Sequence, residues 1–285
     1  MFDIDINEEN SSIRIKQTDS TIAAEGRFAV DRADRMVLIG IIQTTIVPGD
    51  DEQLQNLIST LHDHFGKTYN ARVVVRLPTT FDNDIDRNKP ALKNNSPIFM
   101  AVTTSDLQYD NDDLIQYDHE QYTLVGEKQA VVAYAKQIMI IMTVEAFWAK
   151  HWDEQEVHNR ILSASAVAVI FDKVNKVPVG FGRMFMMRNK NNNEEQTLGY
   201  LSDIAVTIQH QGKGLGRVIV NYLIGVCIGR DASRRHTNGS LCLDCADRGS
   251  GAVSGPKLYR SLGFEHLDKI GHRIAIFLSE KDYVC

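Results

Sequence analysis

The sequence has few of the residues from which disulfide frameworks and metal sites are built. Only four of its 285 residues are cysteines, too few for the disulfide-rich scaffolds of small secreted domains. Cys242 and Cys245 have C-x-x-C spacing, but neither a second such pair nor two histidines at zinc spacing accompany them. We therefore expect no metal, and we expect the cytoplasm as the location, with the nucleus as the alternative.

Long apolar runs and a basic surface are missing as well. The nearest approach to a membrane span, residues 130–149, contains Lys136, Gln137 and Glu145, which are costly in hydrocarbon. The N-terminus is acidic and has no apolar run, so it does not resemble a signal peptide. The sequence pI is about 5.8, which argues against a nucleic-acid partner. We expect neither a membrane nor a nucleic acid among the partners.

Charge is distributed unevenly along the chain. Residues 1–120 carry 21 acidic and 11 basic side chains, whereas residues 121–285 carry 16 and 20. The division predicts an acidic N-terminal α/β region of unknown role over 1–120, and a second domain over 121–285 that tolerates or binds an anion. The alternative is that surface charge drifts between the two halves without functional meaning.

Hydrophobic periodicity predicts alternating strands and helices in both regions. Two polar stretches, 79–97 and 105–120, are predicted to be a long loop and an acidic connector, and 189–196 a hairpin loop. No internal repeat is detected. The predicted strands are 13–17, 22–30, 35–47, 71–77, 121–125, 165–172, 177–187, 197–206, 240–246, 264–267 and 273–278; the predicted helices are 49–66, 128–148, one capped by Asp153, one from about Gly214, and 254–263, ended by Gly263.

Three glycines stand on alternate positions where the strand 197–206 gives way to a helix. A helix start presents backbone N–H groups without helical acceptors and the positive end of the macrodipole. Gly212, Gly214 and Gly216 remove side chains from this point, so that a bulky diphosphate can approach the N–H groups. Lys213 and Arg217 add positive charge. The alternative is a flexible loop in which the glycines are incidental.

Two common nucleotide motifs do not fit this turn. A P-loop requires G-x-x-x-x-G-K-[ST], which is absent from the sequence. The triplet is G-x-G-x-G rather than the dinucleotide fingerprint G-x-G-x-x-G, and no ribose-binding acid follows in a second βαβ unit. The turn is therefore predicted to bind a phosphate-bearing ligand of another class.

The segment from Gln211 to Gly216 resembles the [QR]-x-x-G-x-[GA] signature of the GNAT superfamily of acyl-CoA-dependent N-acetyltransferases. It follows "YLSDIAV" (200–206), which is similar to the fourth strand of that family, and precedes "LYRSLGF" (258–264), which is similar to its closing Tyr-x-x-x-Gly-Phe segment. The resemblance covers about 121–280. It implies an α+β fold of three layers, α/β/α, around a twisted and splayed mixed sheet, preceded by the smaller N-terminal α/β region.

The resemblance also implies a donor site. Acetyl-CoA would be the co-substrate, with its pyrophosphate on the backbone N–H groups of the turn and its pantetheine arm paired with the main chain of the preceding strand. One N–H of that strand would polarise the thioester carbonyl. The implied donor-binding residues are Ile204, Ala205, Val206, Gln211, Gly212, Lys213, Gly214, Leu215, Gly216 and Arg217.

Tyr259 matches the general acid of the family, which protonates the departing thiolate; the alternative is an aromatic side chain that packs between helix and sheet. Asp203 is our candidate for the base that takes the amine proton, and its alternatives are to order a loop or to bind the substrate ammonium. Histidines 151, 158 and 210 are further candidates for the base, although each lies in a polar stretch and is expected to face solvent.

The sequence departs from the family near Tyr259. Where members often have an asparagine and a small residue that help to hold CoA, this chain has Ala252 and Gly255 in a glycine-rich loop. Ser254 and Lys257 are candidates to replace the lost contact.

The sequence thus predicts a transferase: an acetyl-CoA-dependent N-acetyltransferase that acts directly on a primary amine of a small molecule or peptide. The alternative is a non-catalytic acyl-CoA-binding regulatory protein. The identity of the acceptor is open; if the acidic N-terminal region overhangs the acceptor cleft, it would favour a cationic one. That region has three possible roles: a lid on the substrate side, a homodimer surface, or a module that binds a partner.

Overall fold

The computed structural model describes residues 2–33, 35–47, 50–77, 98–104, 107, 118–191, 194–228, 238–245, 251–266 and 274–277. The predicted loop 79–97 and most of the predicted connector 105–120 lie outside these ranges. The strands are β1 (Phe2–Asn7), β2 (Ser12–Gln17), β3 (Ile22–Asp31), β4 (Met36–Thr44), β5 (Arg72–Arg76), β6 (Ile98–Thr103), β7 (Tyr122–Val125), β8 (Ala166–Asp172), β9 (Val177–Asn191), β10 (Glu194–Val206), β11 (Asn238–Cys245), β12 (Glu265–His266) and β13 (Ile274–Phe277).

The helices alternate with these strands. They are α1 (Asp51–Leu61), α2 (Lys67–Tyr69), α3 (Lys128–Val132), α4 (Ala135–Glu145), α5 (Glu154–Ser163), α6 (Leu215–Ile228) and α7 (Gly251–Arg260), with a π-helical turn His62–Gly66 and 3₁₀ turns Phe147–Ala149 and Ile208–His210.

The chain divides into two compact units. The first contains residues 1–93, 187–198 and 266–285, and the second contains 94–186 and 199–265. This division does not coincide with the boundary expected at residue 120. Strand β6 pairs with β11 in the sheet of the second unit, and β13 pairs with β5 in the sheet of the first. Segments distant in sequence complete each sheet, so a single cut in the sequence cannot separate the two units.

The first unit contains a six-stranded sheet in the order β1-β2-β3-β4-β5-β13. Its described pairs are antiparallel except β4 with β5, which are parallel. Strand β4 has a nearly continuous apolar run, typical of a strand covered on both faces. Helix α1 connects β4 to β5 and buries Leu57 and Leu61 with the sheet residues Val37 and Val73. Asp50 caps α1 by accepting from the backbone N–H of Gln53 at 3.0 Å.

The second unit contains a seven-stranded sheet in the order β12-β6-β11-β10-β9-β8-β7. Strands β7, β8 and β9 are antiparallel, as are β6 and β11. Helix α6 connects the neighbouring strands β10 and β11, just as α1 connects β4 and β5. Both units therefore contain a strand-helix-strand crossover, a similarity that the sequence did not reveal.

Helices cover both faces of the seven-stranded sheet. On one face, Leu215, Ile219 and Leu223 of α6 and Tyr259 of α7 pack in a common core with sheet residues such as Leu201. On the other face, helices α3, α4 and α5 form a second core with the sheet residues Val167, Val169, Phe181 and Ala205. The predicted α+β fold of three layers around a mixed sheet is therefore confirmed.

Three local predictions differ from the structure. The helix expected over 128–148 is interrupted: α3 ends at Val132, α4 spans 135–145, and a 3₁₀ turn follows. At the break, Tyr134 packs edge-on against Phe171, with ring centroids 4.6 Å apart. The hairpin loop expected over 189–196 is shorter, because β9 continues to Asn191 and β10 begins at Glu194. The helix expected over 254–263 begins earlier, at Gly251.

Two predictions of helix ends are confirmed by the same structure. Asp153 caps α5 through a hydrogen bond of 2.7 Å from the N–H of Glu156, and Gly263 follows α7 with φ of +93°. Within the described ranges, no helix combines the length and apolarity needed to cross a bilayer.

Candidate active site

The glycine turn lies between the end of β10 and the start of α6. Strand β10 ends at Val206, the 3₁₀ turn Ile208–His210 follows, and α6 begins at Leu215. Gly212 and Gly214 have φ values of +75° and +77°, in the left-handed region that favours glycine. A Cβ on Gly212 would meet no other atom within 4 Å. The two glycines therefore shape the turn, and Gly212 leaves open space beside its backbone.

The start of α6 presents backbone donors to that space. Its first described i→i−4 hydrogen bond runs from the N–H of Val218 to the carbonyl of Gly214, at 3.1 Å. The N–H groups of Leu215 and Gly216 precede that bond, so they have no acceptor within the helix. Together with the helix dipole, such groups favour an anionic ligand.

A cavity of about 430 Å³ opens beside this turn. It is lined by ten of the twelve site residues expected from the sequence: Ile204, Ala205, Val206, Gln211, Gly212, Gly214, Leu215, Gly216, Arg217 and Tyr259. The cavity thus brings together the end of β10, the glycine turn and the C-terminal half of α7. The two expected residues outside this lining set are Asp203 and Lys213.

Tyr259 lies on α7 at the cavity wall. Its side chain is 8% exposed and packs edge-on against Phe264, with ring centroids 6.0 Å apart. Burial raises the pKa of Tyr259 well above its usual value, and the neighbouring Cys245 and Asp244 act in the same direction. The phenol therefore keeps its proton at neutral pH. This position is compatible both with a proton donor and with a packing residue.

Asp203 points into an ion-pair cluster. Its Oδ2 accepts from Nε of Arg183 and, at 3.3 Å, from Nη1 of Arg160. Arg160 also donates to Glu156 at 2.7 Å, and its Cζ lies 3.9 Å from the ring centroid of Trp152. The backbone of Asp203 has φ of +57° within β10, an uncommon conformation for a non-glycine residue.

Lys213 and His210 meet at one phenol. The hydroxyl of Tyr122, on β7, lies 2.8 Å from Nδ1 of His210 and accepts from Nζ of Lys213 at 2.9 Å. His210 also lines the cavity. The expectation that His210 faces solvent is therefore not met, whereas His151 is exposed and His158 is half-buried.

Glu145, the last residue of α4, contacts the turn from the other side. Its Oε1 accepts from the backbone N–H of Ile208 at 2.9 Å, and its Oε2 lies 3.5 Å from Nε2 of Gln211. The same Nε2 donates to the carbonyl of Val206 at 2.8 Å. The carbonyl of Val206, at the end of β10, therefore accepts a hydrogen bond from within the protein.

Several cavity residues were missed by the sequence-based prediction. Glu145 and Trp148 come from α4 and the 3₁₀ turn that follows it, and Leu258 comes from α7. They belong to no short motif, because they approach the turn only through tertiary packing. Of the two replacements considered near Tyr259, Ser254 lines the cavity together with Gly255, while Lys257 is exposed and is not among the lining residues.

Positive charge at the cavity comes from Arg217. Its Nη2 donates to Oγ of Ser261 at 3.0 Å, and its side chain is half-buried. Across the part of the chain that the structure describes, no three His, Cys, Asp or Glu residues are grouped as metal ligands. The described lining combines backbone donors and apolar walls with the side chains of Glu145, His210, Arg217 and Tyr259.

Similarity to known proteins was found at the level of a family and of solved structures. Residues 136–240 match the family model described as the acetyltransferase (GNAT) family. No curated protein matches the sequence.

Three of the similar solved structures are 12 to 18% identical to this chain. A tandem GNAT protein from the clavulanic acid biosynthesis pathway is 12% identical over 90% of this chain and 79% of its own, with a TM-score of 0.41. Glucosamine-6-phosphate N-acetyltransferase from Arabidopsis thaliana is 16% identical over 50% of this chain and 90% of its own, with a TM-score of 0.35. Ribosomal-protein-alanine N-acetyltransferase from Brucella melitensis biovar Abortus 2308 is 18% identical over 50% of this chain and 90% of its own, with a TM-score of 0.34.

The family match covers β10, the glycine turn and α6, and it ends before Tyr259. Over residues 136–240 the chain is therefore similar to the GNAT acetyltransferase family.

Proposed function

We propose that this protein is an N-acetyltransferase that moves an acetyl group from acetyl-CoA directly to a primary amine of a small molecule or peptide. One observation carries the proposal: a single cavity is lined by the glycine turn, by Ile204 to Val206 of β10 and by Tyr259. These are the parts needed to hold a diphosphate, to align an extended thiol arm and to protonate a leaving sulfur.

The residues of the cavity suit acetyl-CoA. The left-handed Gly212 and Gly214 leave the backbone open, and the N–H groups of Leu215 and Gly216 point from a helix start. The apolar side chains of Ile204, Val206 and Leu215 supply a wall for an aliphatic arm. Arg217 adds the positive charge that a diphosphate favours.

Bound acetyl-CoA supplies an activated thioester, so no covalent intermediate with the protein is required. The amine nitrogen forms a C–N bond with the acyl carbon, the C–S bond breaks, and the amine loses one proton. A backbone N–H of Ile204, Ala205 or Val206 would polarise the acyl oxygen. The Tyr259 hydroxyl, which carries its proton at neutral pH, would donate that proton to the departing sulfur.

The base for the amine proton is assigned less directly. Asp203 is one candidate because it lies immediately before Ile204, but its carboxylate already accepts from Arg160 and Arg183. That pairing supports its alternative role, which is to hold β10 in shape. His210 is a second candidate because it lines the cavity.

The nature of the acceptor rests on charge alone. Residues 1–120 have ten more acidic than basic side chains, and an acidic surface raises the local concentration of cations. We therefore propose a cationic amine, such as a polyamine, an amino sugar or a lysine-rich segment, as the first class to test.

The test combines two measurements on the full chain. Isothermal titration with acetyl-CoA measures donor binding, and a thiol-release assay over a panel of amines measures turnover. We expect micromolar or tighter donor binding and release of CoA with at least one amine. Binding without release for every amine would favour a non-catalytic acyl-CoA-binding protein, and no binding would overturn both functions.

A further inference from the structure

The donor turn is held from outside by two side chains that no motif includes. We propose that Tyr122 and Glu145 are positioning residues, which fix residues 208–213 in the conformation that receives the diphosphate. This inference rests on the proposed function, because it concerns the same donor site. Neither residue lies in the segment that resembles the family signature, and each comes from a different element, β7 and the end of α4.

The Tyr122 hydroxyl joins two residues on opposite sides of the turn. His210 and Lys213 flank Gln211 and Gly212, and both reach this one oxygen, at 2.8 and 2.9 Å. An ammonium only donates, so the phenol oxygen accepts from Lys213. The same hydroxyl is paired with Nδ1 of His210. Tyr122 itself is 1% exposed, which makes it a rigid anchor.

Glu145 holds the beginning of the same segment. Its carboxylate accepts from the N–H of Ile208 at 2.9 Å and lies 3.5 Å from the amide nitrogen of Gln211. That amide nitrogen in turn donates to Val206 on β10. The end of the strand, the 3₁₀ turn and the end of α4 are thereby linked in one hydrogen-bonded unit.

Such anchoring has a physical reason. Glycines at positive φ give the turn its shape but also the greatest freedom to leave it. A ligand that must order a mobile loop binds more weakly than one that meets a loop already in place. Two anchors outside the turn compensate for the two permissive glycines.

The arrangement also changes the role expected for Lys213. Its ammonium contacts Tyr122 rather than extending into the cavity, and Lys213 is not among the lining residues. Lys213 would therefore support the diphosphate chiefly by holding the turn. The direct contacts would come from the backbone N–H groups and from Arg217.

Substitutions of Glu145 can separate the effect of its position from the effect of its charge, because a carboxylate beside an anion site repels the ligand. Glu145→Gln keeps an oxygen acceptor for the N–H of Ile208 and removes the charge, whereas Glu145→Ala removes both. If Glu145 acts by position, the Glu145→Gln variant should bind CoA at least as tightly as the parent chain, and the Glu145→Ala variant should bind it more weakly. If its charge alone matters, both variants should bind CoA more tightly.

The experiment measures the dissociation constants of CoA and of pantetheine, which lacks the diphosphate, for the parent chain and for Tyr122→Phe, Glu145→Ala and Glu145→Gln. We expect Tyr122→Phe and Glu145→Ala to weaken CoA at least tenfold and pantetheine less than threefold. Tyr134→Phe, on a half-buried tyrosine outside the cavity lining, is the matched control and should change neither constant. Thermal melting checks that each variant is folded.

The outcomes separate this inference from the proposed function. Normal CoA affinity in folded Tyr122→Phe and Glu145→Ala overturns the positioning role and leaves the donor site intact. Equal losses for CoA and pantetheine also overturn it, because they indicate a general disturbance of the cavity. If the parent chain binds CoA but releases no thiol with any amine, catalysis fails and the positioning role stands. If the parent chain does not bind CoA, both fail.

Discussion

Asp203 and Arg160 connect strand β10 to helix α5 through a contact of 3.3 Å between Oδ2 and Nη1. Arg183 of β9 binds the same carboxylate oxygen, and all three side chains are at most 10% exposed. Asp203 is also the residue at which β10 adopts a positive φ. Immediately beyond it, Ile204 begins the wall of the cavity, so the cluster fixes the strand at the point where the site starts.

The first prediction concerns this cluster. Asp203→Ala should lower the free energy of unfolding by roughly 3–5 kcal/mol, because removing one partner of a buried ion pair leaves the other charges uncompensated. Denaturant unfolding measures the change. Glu156→Gln, which alters only the half-buried pair between neighbouring turns of α5, is the control and should cost about 0.5 kcal/mol or less.

Asp203→Asn separates the two roles considered for this residue. A purely structural carboxylate predicts that turnover and stability fall together. A general base predicts a loss of turnover of about 10²- to 10⁴-fold with little loss of stability. The second result would establish Asp203 as the base and would contradict a role confined to holding the strand.

The second prediction concerns Gly214. Gly214→Val should severely weaken CoA binding, because a branched side chain both obstructs the backbone donors and disfavours φ of +77°. The strain alone costs about 1–3 kcal/mol, so the fold should survive. Titration with CoA gives the affinity, and melting gives the stability.

Gly263→Val provides the comparison for strain. Gly263 also has positive φ, at +93°, but it is not among the described lining residues of the cavity. A similar loss of stability with nearly normal CoA affinity is expected. If Gly214→Val binds CoA as well as the parent chain does, the turn is not the diphosphate site.

The third prediction concerns Tyr259. Tyr259→Phe should reduce turnover by about 10²- to 10⁴-fold and leave the dissociation constant of CoA nearly unchanged, because only the hydroxyl is removed. Steady-state kinetics and titration measure the two quantities. Equal losses of turnover and affinity would point to a packing role.

The pH dependence of Tyr259 has a defined sign. Burial raises its pKa in the folded chain, so the phenol stays protonated as pH rises from 7 to about 10, where an unperturbed tyrosine is half ionised. Turnover should therefore show no loss from Tyr259 in that window. Above about pH 10 the unfolded state releases the proton first, so the stability that neutral Tyr259 provides should fall as pH rises. Tyr259→Phe should lack that alkaline loss.

The fourth prediction concerns stoichiometry. The crossover β4–α1–β5 in the first unit has the same order of elements as β10–α6–β11, but its helix start is capped by Asp50 instead of being left open by glycines. The Asp50 carboxylate accepts a hydrogen bond from the N–H of Gln53. Its negative charge also disfavours binding of an anion at this helix start. Titration should give about one CoA per chain, and a value near two would contradict this interpretation.

Local chemistry made much of the site predictable. The positions of Gly212 and Gly214, between an apolar strand and an amphipathic helix, indicate the conformation of their backbone, because few other residues adopt positive φ without strain. The N-cap Asp153 and the terminating Gly263 are predictable for the same reason: each acts within one helical turn of its own position.

Contacts over long sequence distances were not predictable. The partners of Lys213 and Asp203 could not be predicted, because Tyr122 lies 91 residues from Lys213 and Arg160 lies 43 residues from Asp203. The break at Tyr134 was missed since the apolar spacing continues on both sides of it.

The sequence by itself determined the alternation of strands and helices, the family resemblance and ten of the residues that line the cavity, because those features depend on periodicity and on the conformational limits of single residues. The tertiary structure decided which sheet receives β6 and β13, which groups bind Asp203, and how Tyr122 and Glu145 hold the donor turn. These are pairings between distant segments, and they form only when burial of apolar faces brings those segments together.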